Sequence, residues 1–499
     1  MRFREWLNEC DQNHSHCTKP EPTFMPTRLL NIGNPESQEI RLVLSANQGI
    51  LPYAALSHCW GKSLPLSTTA ATMTRFLETI PISALPQTFK DAVVVARRLG
   101  IRHLWIDSLC IVQDDEVDWF REAATMASVY GNAQITIMAS RASSSEQGFL
   151  VSRAQPFVIK EERDETGQKT LLRLINGPFY DNSINLATLP RTNPLFKRAW
   201  VVQERILSRR KIMFCKDQAF WECNQLATSE DSRIRQDKSE QSVRKLSEWF
   251  DAVESFMACD ITYEKDVLPA IAGIARSTAQ TTGFTYCAGI WLDRLSNSLL
   301  WYPAQNTNKT KREAYVAPTF SWAASKGNVW YRAHARSHSQ TQFCELISYG
   351  QSLRDGSDDP YGAISSASIT LQGPALKVIR LIQRKGGDND VVVWPTHGSK
   401  YIIPVQFDHQ DTKCDSKHMI VLPLYEDESR MQALVLQRAS KEPSDTRFRR
   451  IGITWCKSSD LLKMTWWGNI VKIPYSEQEE ELQRFVQAVR GQKDIITLV

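Results

Sequence analysis

Trp200 and Glu204, in the segment WVVQE, stand four residues apart. On a helix that spacing lays an indole beside a carboxylate. An aromatic wall next to a carboxylate can hold a flat cation or a sugar while the carboxylate stabilises positive charge. An oxocarbenium-like transition state at a glycosidic carbon makes that demand. The same carboxylate could instead serve a salt bridge to Arg198, Arg205 or another basic neighbour. Asp107, in WIDSLC, is a second candidate. It sits in an otherwise apolar run, where a carboxylate is costly to bury unless it is paired or hydrogen-bonded. It either anchors a loop backbone or works at the edge of a pocket.

Thiol and imidazole chemistry is suggested twice. In YAALSHCWGK, His58 and Cys59 adjoin just before Gly61. Neighbours on a strand point to opposite faces and make a poor catalytic pair, so Cys59 reads as a small packing residue. His103 and Cys110, with Asp107, complete a site only if the fold brings them near. Cys10, His14, His16 and Cys17 are zinc-type ligands crowded into CDQNHSHC. Their spacing is no usual finger pattern and four ligands so close in sequence do not easily reach one tetrahedron, so no metal centre is expected. The chain lacks GxxxxGK[ST], HExxH, GxSxG and the Gly-rich dinucleotide fingerprint. An ATPase module, a zinc protease and an ordinary α/β hydrolase all lose support.

The elements that must position these residues lie between Arg41 and Asn224. IRLVLS, YAALSHCW, IRHLWIDSLCIV and AQITIMAS read as strands. TTAATMTRFLETI and LPQTFKDAVVVARRLG read as helices, the second with Phe89, Ala92, Val93, Ala96 and Leu99 inward and Gly100 at its end. DDEVDWFREAATMASVYGNA reads as a third, capped by Asp114 or Asp115, with Trp119, Ala123, Met126 and Tyr130 on one face. KIMFC-KD-QAFWEC looks like a hairpin. Strands alternating with helices predict an α/β layer with a mostly parallel sheet flanked by helices. Functional groups gather at the carboxyl ends of such strands, where SHCWG and DSLC lie.

Beyond this layer, residues 226–345 read as mainly helical and 346–499 as a β-rich domain closed by the helix SEQEEELQRFVQAVRG. GQSLRDGSDDPYGAISS is the linker candidate. The division expected is an extension over 1–36, the α/β domain over 37–225, the helical region and the β-rich domain. With 499 residues, 42% hydrophobic and 23% charged, the composition is that of a soluble globular protein. A net charge of +5 with interspersed signs shows no phosphate-tracking stripe, so no nucleic-acid partner is expected. No apolar stretch reaches the length of a membrane span. A polar start and eleven scattered cysteines point to reduced thiols and a cytoplasmic location.

Three blocks together resemble a known family. YAALSHCWG, LWIDSLCIVQDDEVDWFREAATMASVYGNAQITIMAS and RAWVVQERILSRR look like the signature blocks of the fungal heterokaryon incompatibility (HET) domain, in order and correctly separated. Stretches on either side resemble the same proteins, so the likeness runs through nearly the whole chain. It implies a fungal protein whose relatives trigger cell death between genetically different hyphae, a form of allorecognition and innate immunity. Protein partners or self-association are expected on the same ground. HET domains are in turn thought to be distantly similar to TIR domains, whose enzymatic members cleave NAD. That likeness implies a TIR-like, flavodoxin-like fold, with Trp200 and Glu204 matching a tryptophan and the catalytic glutamate four residues later. It further implies a pocket from Ser57, His58, Trp60 and Gly61, from Asp107, Cys110 and Gln113, and from Trp200 and Glu204. No cofactor is required, and NAD would be the substrate. A non-catalytic signalling scaffold and a repurposed small-molecule metabolic enzyme remain the alternatives.

Overall fold

A computed structural model describes residues 2–17, 24–62, 64–152, 157–163, 169–174, 193–232, 234–238, 246–304, 310–331, 341–354, 358–383, 389–394, 400–409, 415–427, 430–442, 445–457, 462–464, 470–472, 475–490 and 493–499. The chain divides into two compact units, Met1–Val243 and Arg244–Val499.

The first unit opens with helix α1 (Arg2–Asn13) and the strands β1 (Arg28–Asn31) and β2 (Glu39–Leu44). Strand β3 (Tyr53–Ser57) is followed by α2 (Ala70–Glu78), the short β4 (Ile80–Pro81) and α3 (Gln87–Arg98). Then come β5 (His103–Trp105), a single helical turn α4 (Asp107–Cys110), α5 (Glu116–Asn132) and β6 (Ile135–Met138). A separate hairpin of β7 (Phe157–Arg163) and β8 (Lys169–Leu174) precedes α6 (Ala199–Leu207). The unit closes with β9 (Arg210–Phe214), β10 (Ala219–Cys223), β11 (Leu226–Ser229) and β12 (Arg235–Asp237).

All but β7 and β8 join one mixed ten-stranded sheet, in the order β12-β11-β10-β9-β6-β3-β5-β1-β2-β4. Its centre is parallel: β3 pairs β5 on one side and β6 on the other, and β6 pairs β9. Both flanks are antiparallel. Burial explains the centre: every residue of β3, β6 and β9 is buried, as strands covered on both faces require. The expected α/β layer is therefore present, with its parallel part confined to four strands of ten.

Several local expectations hold. Asp115 caps α5, its carboxylate accepting from the Val117 and Asp118 amides at 3.0 and 3.1 Å. Gly100 follows α3 with φ of +84°, the left-handed geometry that ends helices. Arg210–Phe214 and Ala219–Cys223 form the predicted hairpin. Others are corrected. IRHLWIDSLCIV is a strand only over His103–Trp105, and Asp107 begins the helical turn that follows. On α5 the buried face carries Asp118 and Glu122 with Met126, Val129 and Tyr130, while Trp119 and Ala123 are only half-buried. Two carboxylates go inward because Arg28 of β1 meets them there, bonded to Asp118 and 3.4 Å from Glu122.

The second unit begins with α7 (Leu246–Met257) and α8 (Pro269–Thr282). A twelve-stranded sheet then occupies most of the chain from Thr341 to Leu498, with a helix over Gln478–Arg490. Of the linker candidate, residues 350–353 and 364–366 belong instead to the paired antiparallel strands Glu345–Leu353 and Ile364–Gly373, and residues 355–357 lie outside the described residues. Arg450 is buried in this unit between the Asp408 carboxylate, at 2.9 and 3.0 Å, and the Trp301 ring. Among the described residues no helix is long and apolar enough to cross a membrane.

Candidate functional site

Ser57 ends β3, and the chain leaves the sheet there at its carboxyl edge. His58 follows, buried and packed edge-on against Phe89 of α3 with ring centroids 5.0 Å apart. Cys59 packs into a different cluster with Met138, Leu195 and Val201. The two side chains thus serve separate cores, and burial raises the Cys59 thiol above its ordinary value. Gly61 completes the bend at φ of +93°, where an added Cβ would lie 2.6 Å from Ser144 Cβ. Only glycine suits both conditions.

Asp107 meets this bend from the next strand end. Its Oδ2 accepts from Trp60 Nε1 at 2.9 Å and its Oδ1 from the Ser108 amide at 2.7 Å. His58 Nδ1 lies 3.8 Å from Oδ1, beyond hydrogen bonding, and neither imidazole nitrogen has a hydrogen-bond partner among the described residues. Burial lowers the imidazole to about 4, against the pull of Asp107, so it is neutral near pH 7. Gln113 braces the turn from outside, donating to the carbonyls of Asp107 and Ile111 at 3.2 and 3.1 Å. Cys110 is fully buried in the core, its thiol pushed up to about 12 by burial.

Glu204 arrives on α6. This nine-residue helix is held at both ends. At its start Arg198 donates to the His58 carbonyl. At its end the Ser208 hydroxyl donates to the Glu204 carbonyl at 2.6 Å and shares a 2.6 Å bond with Thr136 of β6. Lys211, buried in β9, donates to the carbonyls of Arg205 and Ser208 at 2.7 and 3.0 Å. It satisfies carbonyls that a helix end leaves open.

The carboxyl held this way is 5% exposed. Burial raises it to about 7; Arg198 and the Ser57 hydroxyl oppose the rise, Asp107 adds to it and the Tyr130 hydroxyl opposes it. The Ser57 hydroxyl faces the carboxyl, yet neither Ser57 Oγ nor Glu204 Oε2 completes a hydrogen bond of ordinary geometry. Tyr130 donates to the Leu56 carbonyl at 3.2 Å and lies beside Glu204, its own phenol raised well above the usual range by burial and this carboxylate. Such orphaned buried polar atoms are rare enough to demand a reason.

Of the residues expected from sequence, the fold brings Glu204, Asp107, Ser57 and His58 together, with Trp60 attached through Asp107. Trp200 is half-buried and packs against the core of the first unit. Cys110 and Gln113 are placed in the supporting shell. Arg205, one proposed partner of Glu204, pairs with Glu222 at 3.2 Å instead. Tyr130 and the anchoring role of Arg198 escaped the sequence reading. Tyr130 sat in an apolar stripe that gave no sign of its hydroxyl's partner. Arg198 begins RAWVVQE, where an arginine before a helix looks like any exposed one. Cys10, His14 and Cys17 do converge, joined by Cys223 from β10.

Residues 53–204 match the family model of the heterokaryon incompatibility protein (HET). The chain carries a HET domain. The match opens at the start of β3, the strand that ends on Ser57, and closes on Glu204. No curated protein and no solved structure matches the chain. The HET domain points to a role in fungal heterokaryon incompatibility.

Proposed function

We propose that the HET domain acts as a cell-death effector in self/non-self signalling by hydrolysing the nicotinamide–ribose bond of NAD. The observation that carries this reading is Glu204: a buried carboxyl at about pKa 7, with an unpartnered oxygen, facing Ser57 at the carboxyl end of the parallel strand β3. Ranked by chain order, the four parallel strands run second-first-third-fourth, and the flavodoxin-like order places ligands where the first and third strands part. Here those are β3 and β6, and Ser57, which faces the Glu204 carboxyl, ends β3.

In the reaction the bond from ribose C1′ to the nicotinamide nitrogen breaks, and its electron pair leaves with nicotinamide. Ionised Glu204 stabilises the cation at C1′ until water adds and releases a proton. Tyr130 and Ser57 position the carboxylate; Arg198 fixes the start of its helix. Purified full-length chain is incubated with NAD and nicotinamide release is followed, with Glu204→Gln as the control. A loss of at least about 100-fold is expected. Equal turnover by both proteins would sink the role of Glu204.

A second reading rests on burial. Ser57, His58 and Glu204 are 1%, 2% and 5% exposed, as the polar core of a non-catalytic signalling scaffold would be. No turnover by either protein, with toxicity on overexpression surviving Glu204→Gln, selects this reading.

A further inference from the structure

We propose that Cys10, His14, Cys17 and Cys223 bind one zinc ion, which fastens the N-terminal arm to the β10–β11 hairpin. Their ligand atoms all lie within 4.8 Å of one another. A tetrahedron with Zn–S of about 2.3 Å and Zn–N of about 2.0–2.1 Å separates its ligand atoms by about 3.5–3.8 Å. Small side-chain movements therefore close the site.

Local structure explains how a spacing unlike a finger converges. Cys10 and His14 are four apart, and the His14 amide bonds to the Cys10 carbonyl at 3.3 Å, so both face one side of the last helical turn. The 3-10 turn Ser15–Cys17 then folds Cys17 back, its amide bonded to the His14 carbonyl at 3.0 Å. Cys223 is the last residue of β10, and its Sγ lies 3.4 Å from His14 Nδ1. The three cysteines are buried and the histidine is half-buried. Trp6 of α1 against Trp221 of β10, with centroids 6.2 Å apart, sets the two elements side by side.

The surroundings suit a metal-bound thiolate set. Three thiolates and one imidazole around a divalent ion leave one negative charge. Arg210, 2% exposed, donates from Nε to Cys10 Sγ at 3.2 Å and from its terminal nitrogen to the Cys17 carbonyl at 3.1 Å and Asp11 at 2.7 Å. The Leu226 amide donates to Cys223 Sγ at 3.2 Å. Outer donors of this kind orient ligands and offset their charge. The donor set selects zinc: soft thiolates with imidazole in a closed tetrahedron fit it, whereas a common iron–sulfur cluster uses four cysteines. Each thiol surrenders its proton on binding, so affinity falls in acid.

The test uses the full chain, purified under reducing conditions without chelator. Elemental analysis is expected to give about one zinc per chain. Cys223→Ser should cut that at least about tenfold, while Cys215→Ser, a buried cysteine outside the group, should leave it unchanged. Should Cys223→Ser fail to fold, wild type is stripped and reloaded with cobalt(II). Thiolate-to-cobalt charge transfer and tetrahedral d–d bands are expected, with a lower Tm for the stripped protein. Folded wild type without stoichiometric zinc and without cobalt bands overturns the site, as does a Cys10–Cys17 disulfide in zinc-free protein.

Discussion

Glu204 is squeezed between a dry environment that favours its neutral form and neighbours that favour its charge, and the balance near 7 has two measurable consequences. If the ionised carboxylate does the work, kcat/KM for NAD rises with pH and levels off above about 7. Stability moves the other way. The folded carboxyl is raised above its ordinary 4.5, so its contribution is complete below pH 4.5 and is lost as pH climbs through about 7. That loss amounts to about 3 kcal/mol. His58 is lowered from 6.5 to about 4, so its contribution is complete above pH 6.5 and is lost on acidification through about 4. The two slopes oppose each other between pH 4.5 and 6.5, and Glu204 alone acts just above. Urea denaturation of wild type and Glu204→Gln isolates the carboxyl: wild type should lose stability relative to the variant as pH rises from 4.5 to 8. A flat difference contradicts the assignment. At the adjacent bend, Gly61→Ala should cost about 2–3 kcal/mol by the same assay, from a strained φ and contact with Ser144.

At the scale of elements, α6 is too short to be stable alone and depends on its clamps. Lys211 reaches its final carbonyls only because Glu222, 3.9 Å away on β10, shares the charge with Arg205 and Lys238. Glu222→Gln leaves a buried cation poorly compensated and should destabilise the first unit by about 3–5 kcal/mol, read by denaturant titration. This arrangement was out of reach of the sequence. Helical spacing located α2, α3 and α5, and Gly100 and Asp115 marked the end of α3 and the start of α5, because those signals are local. The inward turn of Asp118 and Glu122 was missed because it depends on Arg28 of β1, eight elements earlier in the chain. Asp107 was misplaced in a strand because an apolar run does not show where a strand yields to a helical turn. The candidate site was legible where side-chain type was decisive, as for Glu204, and hidden where a partner's position was. The fourth ligand of the cysteine group illustrates this: Cys10, His14 and Cys17 adjoin, while Cys223 reaches them only through the β10 register.

Each of the two units buries hydrophobic residues of its own, and the second also contains a buried ion pair. Arg450 satisfies Asp408, the carbonyls of Leu299 and Trp301, and the face of the Trp301 ring. Asp408→Asn strands that cation and should cost about 3–5 kcal/mol. Hydrogen exchange should show the loss as reduced protection of the Arg447–Lys457 strand. A different consequence follows from the sheet order of the first unit. The segment with family likeness begins at β3 and stops within α6, yet in the sheet β6 is covered by β9 from beyond it and β5 by β1 from before it. Cutting the chain at the limits of that likeness would bare two rows of unpaired amides and carbonyls, which invite other chains to dock. A fragment of residues 53–204 should aggregate where residues 1–243 stay dispersed. The borders of resemblance are therefore not the borders at which this molecule can be divided, and any transplant of the domain has to carry its flanking strands along.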